Sequence, residues 1–258
     1  MFLTRIAAEF SLSLVPFAKK RNILATKYDD PLIADYVTRK TLDAHKQANV
    51  AEFDALNYRY FVPFTFLSEK LKLNILDFGG GAGHHFYSMM NLLPHRIGNW
   101  TVIETQSMVE SASKVASDPR LKFESSISAV ADKDFHLVLA SSSIQYAHNP
   151  QLVLEELISV NAEYYFITRM PLWNHPTTSI LQKSPLSSNG PGRQLYELSN
   201  GLVEYELNVL NREEFEGCFK DKLDLVLRAI ELKSVHIING IPVDQHGYLF
   251  RRKKAPKR

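Results

Sequence analysis

A short apolar run that ends in an acid and passes straight into glycines limits the possible folds of this chain more than any other segment. Residues 73–78 (LNILDF) indicate a buried strand, with Asp77 near its end. Four glycines follow, at Gly79, Gly80, Gly81 and Gly83. Glycine allows a tight turn and a close approach of the backbone to a ligand. Residues 84–93 indicate a helix whose first N–H groups can bind a charged ligand. This order of elements predicts a site for a nucleotide-type cofactor.

The rest of the chain alternates between apolar runs and helical patterns. Further strands are predicted at residues 100–104, 121–123, 135–140, 164–168, 223–232 and 247–252. Further helices are predicted at residues 106–117, after Asn149 and after Asn211. Near-continuous apolar strands that alternate with helices are typical of a parallel sheet with helices on both faces. We therefore expect an α/β fold with a doubly wound, mostly parallel sheet.

Two segments depart from this alternation. Residues 1–70 indicate helices, the first of them at 32–47 after a start at Asp30 and Pro31, the second at 51–71. Residues 169–210 hold four prolines and many Ser, Asn and Gly, and a loop of this length tends to be functional. The expected organisation is a helical N-terminal cap (1–70) and a main domain (71–258), in which 169–210 is an insertion on the substrate side.

Charge and cysteine content exclude several classes of function. The net charge is +2, and residues 251–258 alone carry six positive charges, so the rest of the chain is near −4. Such a body gives no sign of a broad nucleic-acid surface, while the basic tail could contact phosphate or an anionic membrane, or simply be solvated. Cys218 is the only cysteine, which excludes an internal disulfide and a cysteine-based zinc site and fits a reducing cytoplasm. We expect no signal peptide and no membrane span.

Two positions discriminate between cofactors. A dinucleotide fingerprint needs a small residue at its third glycine position, and counting from Gly79 places His84 there. Glu104 ends the second predicted strand, where an acid can bind ribose hydroxyls. Alternatively, Glu104 is an acid that pairs with the dipole of the next helix. Dehydrogenases also have this acid, so Glu104 indicates nucleoside binding without identifying the reaction.

Residues 75–83 (ILDFGGGAG) resemble the apolar-acid-x-Gly-x-Gly-x-Gly motif of class I S-adenosylmethionine (SAM)-dependent methyltransferases. The resemblance covers residues 71–252 and implies a Rossmann-like, mostly parallel seven-stranded sheet with SAM as the cofactor. It also implies that Asp77 supports the glycine loop and the amino-acid end of SAM. Ser141 begins the stretch that corresponds to the loop facing SAM and substrate.

The chain departs from that family at two places, His136 and the pair Ser125 and Ser126. His136 stands where the family usually has an acid. The serines stand where an Asp often contacts the adenine, which puts the adenine contact in doubt.

Several patches are similar to a narrower bacterial methyltransferase family that is encoded among surface-polysaccharide genes. They are residues 77–86, 100–104, 168–171, 180–182 and 247–250. This resemblance implies methyl transfer to a sugar oxygen.

Methyl transfer from a sulfonium is an in-line displacement, so alignment can supply much of the rate. A hydroxyl acceptor also needs a base, for which His85, beside the glycines, and His148, after the fourth strand, are the candidates. Either could instead be a packing or surface histidine. Gln145 and Tyr146 are expected to line the acceptor crevice.

Arg169 follows the fifth strand and could bind a phosphate or carboxylate of the acceptor, or form a structural ion pair. His175, His236 and His246 are scattered without the spacing of metal ligands, so we expect no metal site. Three alternatives stay open: a nucleotide-dependent oxidoreductase, a non-catalytic SAM-binding protein, and an RNA methyltransferase that uses the basic tail.

Overall fold

The computed structural model describes residues 23–47, 59–67, 72–191 and 201–254. The strands, in chain order, are β1 (Ile23–Ala25), β2 (Leu73–Phe78), β3 (Ile97–Ile103), β4 (Leu121–Glu124), β5 (Asp134–Ser141), β6 (Asn161–Trp173), β7 (Thr178–Pro185), β8 (Leu202–Asn211), β9 (Leu223–Ile238) and β10 (Ile241–Arg252). The helices are α1 (Pro31–Gln47), α2 (Phe61–Phe66), α3 (His84–Leu92), α4 (Gln106–Ser113), α5 (Pro150–Ser159) and α6 (Arg212–Gly217).

Seven of these strands form the central sheet, in the order β4-β3-β2-β5-β6-β10-β9. The first five are parallel to one another. Strand β10 is antiparallel to both of its neighbours, β6 and β9. The expected Rossmann-like, mostly parallel seven-stranded sheet is therefore confirmed, and it is the class I methyltransferase fold.

Helices cover both faces of this sheet because successive strand residues point to opposite sides. Ile75 and Leu137 belong to the core that contains side chains of α2 and α3. Their neighbours Leu76 and Val138 belong to the core that contains side chains of α5 and α6. The strands are apolar on both sides, which is why their sequences show almost continuous hydrophobic runs.

The expectation of a long loop at 169–210 is wrong for the residues that the structure describes. Strand β6 continues to Trp173, and β7 and β8 form an antiparallel pair. Strand β8 pairs in parallel with the last residues of β6 and also pairs in parallel with β1. Val203, Tyr205, Leu207 and Val209 are buried at alternate positions of β8, a period-two pattern typical of a strand. The four prolines of 169–210 favoured the prediction of a loop over this strand pattern. Residues 192–200 lie outside the described residues.

The N-terminal expectations are tested only in part. Helix α1 occupies the predicted 32–47 stretch, and β1 is a strand within a region expected to be helical. Of the second predicted helix, 51–71, the structure describes only the part that contains α2; residues 1–22, 48–58 and 68–71 lie outside the description. No described helix is long and apolar enough to cross a membrane.

Helix α1 lies over the glycine turn and connects it to the turn at 186–190. A methyl group at Gly81 would lie 3.5 Å from Cγ1 of Val37, and one at Gly190 would lie 3.2 Å from the same atom. The buried ammonium of Lys40 donates hydrogen bonds to three backbone carbonyls of the second turn, those of Ser187, Asn189 and Gly190. The cap and the β7–β8 addition are thus joined above the ends of the central strands.

Candidate cofactor and acceptor site

The glycine turn joins the end of β2 to the start of α3 and has little space for side chains. Gly79, Gly81 and Gly83 have φ angles of 70°, 58° and 86°. A Cβ on Gly79 would lie 2.1 Å from Cβ of Ser143. A Cβ on Gly80 would lie 2.3 Å from Oδ2 of Asp77. The turn therefore requires glycine both for its left-handed backbone and for its close packing.

Asp77 is fully buried beneath this turn and accepts two hydrogen bonds. The indole Nε1 of Trp100 donates to Oδ2 over 3.1 Å, and Nδ1 of His85 lies 2.9 Å from the same oxygen. Burial lowers the pKa of His85, but the charge of Asp77 and its hydrogen bond outweigh burial and raise that pKa to about 9. At neutral pH His85 is therefore an imidazolium and would have to lose a proton before it could act as a base.

Glu104 lies directly after β3 and its carboxylate contacts the same turn. Oε1 accepts a hydrogen bond from the backbone N–H of Gly81 at 3.0 Å, and Oε2 accepts one from Thr105 at 2.9 Å. Burial raises the pKa of Glu104 to about 7, although both backbone hydrogen bonds act in the opposite direction. A carboxylate offers about four lone-pair positions, so Glu104 has capacity for hydroxyl donors of a ligand.

Two non-glycine residues on the neighbouring strands have strained backbone conformations. Ser142 after β5 and Arg169 within β6 have φ angles of 54° and 62°. Gln145 bridges them, since its Nε2 donates to Oγ of Ser142 at 2.9 Å and to the carbonyl of Arg169 at 3.4 Å. Left-handed backbone at non-glycine residues costs about 1–3 kcal/mol and is concentrated at functional sites. The strain lies at the carboxyl edge of the sheet, where ligands of such folds bind.

Tyr146 belongs to an aromatic group that we call the tyrosine triad: Tyr28, Tyr146 and Tyr205. The rings of Tyr28 and Tyr146 stack with their centroids 5.8 Å apart and an angle of 6° between their planes. Tyr205 meets both rings edge-on, at 5.5 and 5.3 Å. Sequence reasoning missed Tyr28 and Tyr205, because the first lies in the expected cap and the second in the expected loop.

The remaining candidates occupy different surroundings. Ser141 is buried, with its Oγ 3.1 Å from the hydroxyl of Tyr60, and the Tyr60 ring lies 4.5 Å from the ring of His85. His148 is exposed and makes no hydrogen bond or ion pair with another described residue. Burial lowers the pKa of His84 to about 3, with the positive charges of His85 and Arg169 acting in the same direction.

The structure shows the surroundings of the three residues that depart from the methyltransferase pattern, His136, Ser125 and Ser126. The Nδ1 atom of His136 accepts a hydrogen bond from the backbone N–H of Asn74 at 3.0 Å, so this side chain supplies an acceptor to the neighbouring strand β2. Ser125 and Ser126 are exposed, and Oγ of Ser126 bonds to Ser128. The described residues contain no cluster of three or more His, Cys, Asp or Glu side chains that could hold a metal ion.

The sheet, the glycine turn and the two acids define a Rossmann-like protein with the class I methyltransferase fold. No protein-family model matches the sequence, and no curated protein matches it either. The chain is similar in structure to a SAM-dependent methyltransferase from Clostridium acetobutylicum, with 13% identity and a TM-score of 0.49 over 83% of this chain and 98% of that chain. It is also similar to magnesium protoporphyrin IX methyltransferase from Synechocystis with bound S-adenosylhomocysteine, with 10% identity and a TM-score of 0.49 over 87% and 100%. Such distant matches say nothing about activity; strand order and register define the fold.

Proposed function

We propose that this chain is a SAM-dependent methyltransferase. The observation that carries the proposal is the hydrogen bond from the Gly81 N–H to the buried carboxylate of Glu104. It joins a left-handed glycine turn to an acid at the end of the adjacent strand, which is the pairing that a nucleoside cofactor needs. The magnesium protoporphyrin IX methyltransferase to which the chain is similar in structure was crystallised with S-adenosylhomocysteine, the demethylated form of this cofactor.

The described residues fit the parts of this cofactor. The glycine turn, supported from below by Asp77, offers close backbone contact to the amino-acid end, and Glu104 offers its carboxylate to the ribose hydroxyls. Ser141 stands at the end of β5, beside them. When bound, SAM supplies an activated methyl group; the residues of this chain orient the acceptor for in-line attack and exclude water.

Gln145, Tyr146 and Arg169 form the acceptor side of the proposed site. We propose a sugar hydroxyl as the acceptor, in surface-polysaccharide biosynthesis, because of the sequence patches noted above and because tyrosine rings offer flat faces on which a sugar can pack. His148 and His85 remain the candidate bases for such a hydroxyl. The ionised state of His85 at neutral pH favours a positioning role for it, through Asp77.

Binding of S-adenosylhomocysteine tests the proposal directly. We expect millimolar ligand to raise the melting temperature of the native protein, because a ligand that binds only the folded state stabilises it. Glu104→Ala should lose most of this shift, whereas the matched surface variant Glu110→Ala should keep it. Transfer of a labelled methyl group to sugar acceptors then tests the reaction.

Two results would contradict the proposal. One is the absence of any shift with S-adenosylhomocysteine. The other is a shift with NAD(P) and none with S-adenosylhomocysteine, which would indicate an oxidoreductase.

A further inference from the structure

Arg169 has a charge without a partner in the described part of the chain. Its side chain is partly buried, and its guanidinium makes no hydrogen bond or ion pair with another described residue. Its charge nevertheless acts on groups around the site, since it helps to lower the pKa of His84 and opposes the rise in the pKa of Tyr28 and Tyr146. The cation is therefore within electrostatic range of the glycine turn and the tyrosine triad, and the carbonyl of the same residue accepts a hydrogen bond from Gln145, which precedes Tyr146 in the chain.

The acid that contacts Arg169, Glu231, binds its backbone and not its side chain. Oε2 of Glu231 on β9 accepts the N–H of Arg169 over 2.6 Å, while Oε1 accepts the hydroxyl of Thr168 and lies 3.5 Å from NH1 of Arg59. These contacts hold residue 169 in its left-handed conformation. The sequence allows two roles for Arg169, binding an anion of the acceptor or forming a structural ion pair. The ion pair is not formed with any described residue.

Two further features lie near residue 169, because Gln145 contacts its carbonyl and Tyr146 follows Gln145 in the chain. Oε1 of Gln145 is buried and has no hydrogen-bond donor among the described residues, although the Nε2 atom of the same side chain is engaged with Ser142 and with the Arg169 carbonyl. The partly buried rings of Tyr28 and Tyr146 add apolar surface. A cation, an unused acceptor and flat rings suit a ligand that carries an oxyanion, a hydroxyl and a ring.

We propose that the acceptor is an anionic sugar whose phosphate or carboxylate binds to the guanidinium of Arg169 and whose ring packs against the tyrosine triad. Glu231 and Gln145 are the positioning residues of this anion subsite. The identification of the anion as part of the methyl acceptor rests on the proposed function. The subsite itself is defined by the contacts of Arg169 and does not depend on a methyl-transfer step.

Calorimetry with sugars that differ only in charge tests this subsite. Glucose 1-phosphate and glucuronate are each compared with glucose, with and without saturating S-adenosylhomocysteine. We expect at least one anionic sugar to bind the native protein about tenfold or more tightly than glucose, as loss of a charge-assisted hydrogen bond implies. Arg169→Gln should abolish this preference, and the exposed control Arg251→Gln should retain it. The anionic sugar that binds more tightly shows whether the subsite prefers a phosphate or a carboxylate.

The subsite is overturned if no sugar shows a charge preference, if no sugar binds, or if R169Q keeps the preference. Failure of the proposed function has a different signature. S-adenosylhomocysteine would then bind neither the native protein nor R169Q, while the charge preference measured without it would still report on Arg169. A thermal unfolding curve of R169Q like that of the native protein excludes misfolding as the cause of a lost preference.

Discussion

Glu104 is a carboxylate whose charge depends on what lies beside it. Burial raises its pKa to about 7, and Asp77 and Asp29 add to the effect, while two backbone N–H groups hold it from rising further. Ribose hydroxyls that donate to the carboxylate would favour the ionised form, because hydrogen bonds to a charged group stabilise its charge. Binding of the proposed cofactor should therefore release a proton wherever Glu104 is protonated in the free protein.

This coupling predicts a pH-dependent affinity for S-adenosylhomocysteine. Below about pH 7, the affinity should rise by up to tenfold per pH unit, and it should level off above that pH. Calorimetry in buffers of different ionisation enthalpy should detect up to one proton released per ligand at about pH 6. Glu104→Gln should bind more weakly and release no such proton. A flat affinity between roughly pH 5.5 and 8.5 would contradict a ribose contact by an ionised Glu104.

The pKa of His85 also depends on a neighbouring charge, here that of Asp77. Its pKa in the folded protein is about 9, against an ordinary value of 6.5. The stabilisation that it supplies is therefore complete below about pH 6.5 and is lost as the pH rises through about 9. Over the neutral range Asp77 thus keeps its counter-ion beneath the glycine turn.

Local motifs made part of the site predictable from sequence. Asp77, the glycines and Glu104 lie together because a strand, a turn and a helix of fixed short spacing bring them together. Tyr28 and Glu231 lie far from the motif in sequence and reach the site only through strand pairing and packing. No periodicity within a single segment could have placed them there.

At the scale of elements, one buried cation, the ammonium of Lys40, connects helix α1 to the turn at 186–190. The ammonium of Lys40 lies 2.9 to 3.0 Å from the three carbonyl oxygens of Ser187, Asn189 and Gly190. A lysine that is almost fully buried needs such acceptors to offset its lost hydration. The contact therefore fixes how the N-terminal helix sits against the β7–β8 addition.

We predict that Lys40→Met destabilises the protein by about 2 kcal/mol, because buried carbonyls would lose their donor. The exposed Lys46→Met on the same helix is the matched control, with an expected change below about 0.5 kcal/mol. Urea unfolding monitored by circular dichroism measures both. Equal stability of the two variants would show that the three hydrogen bonds contribute nothing net.

Some element boundaries could be predicted from local sequence signals, whereas others depend on pairing between strands. Asn149 and Asn211 accept backbone hydrogen bonds at the starts of α5 and α6, as their sequences predict. Strand β9 runs to Ile238, six residues beyond the predicted end, because its pairing with β10 continues past the bulges near Gln245. Pairing of that kind is a tertiary property that a single strand's composition does not encode.

At the scale of the whole molecule, two additions to the seven-stranded sheet form one structure. Strand β1 pairs with β8, and the carboxylate of Asp29 accepts the N–H of Ser107 at the start of α4. Ile33, Val37, Met108 and Leu186 share one hydrophobic core with Ala82 of the glycine turn. The proposed cofactor site is thus covered by the N-terminal helix and by the 186–190 turn together.

This arrangement predicts a specific pattern of hydrogen exchange when S-adenosylhomocysteine binds. Ordering of the glycine turn should be transmitted through Val37 and Lys40, so amides in residues 31–47 and 186–190 should gain protection together with those in 79–83. Residues 223–228 at the start of the edge strand β9 should not change, since they pair only with the end of β10 and precede Glu231, the β9 residue that contacts Arg169. In Lys40→Met, protection should still rise at 79–83 but no longer at 186–190. Protection confined to the glycine turn in the native protein would show that the two covering segments respond independently of the site beneath them.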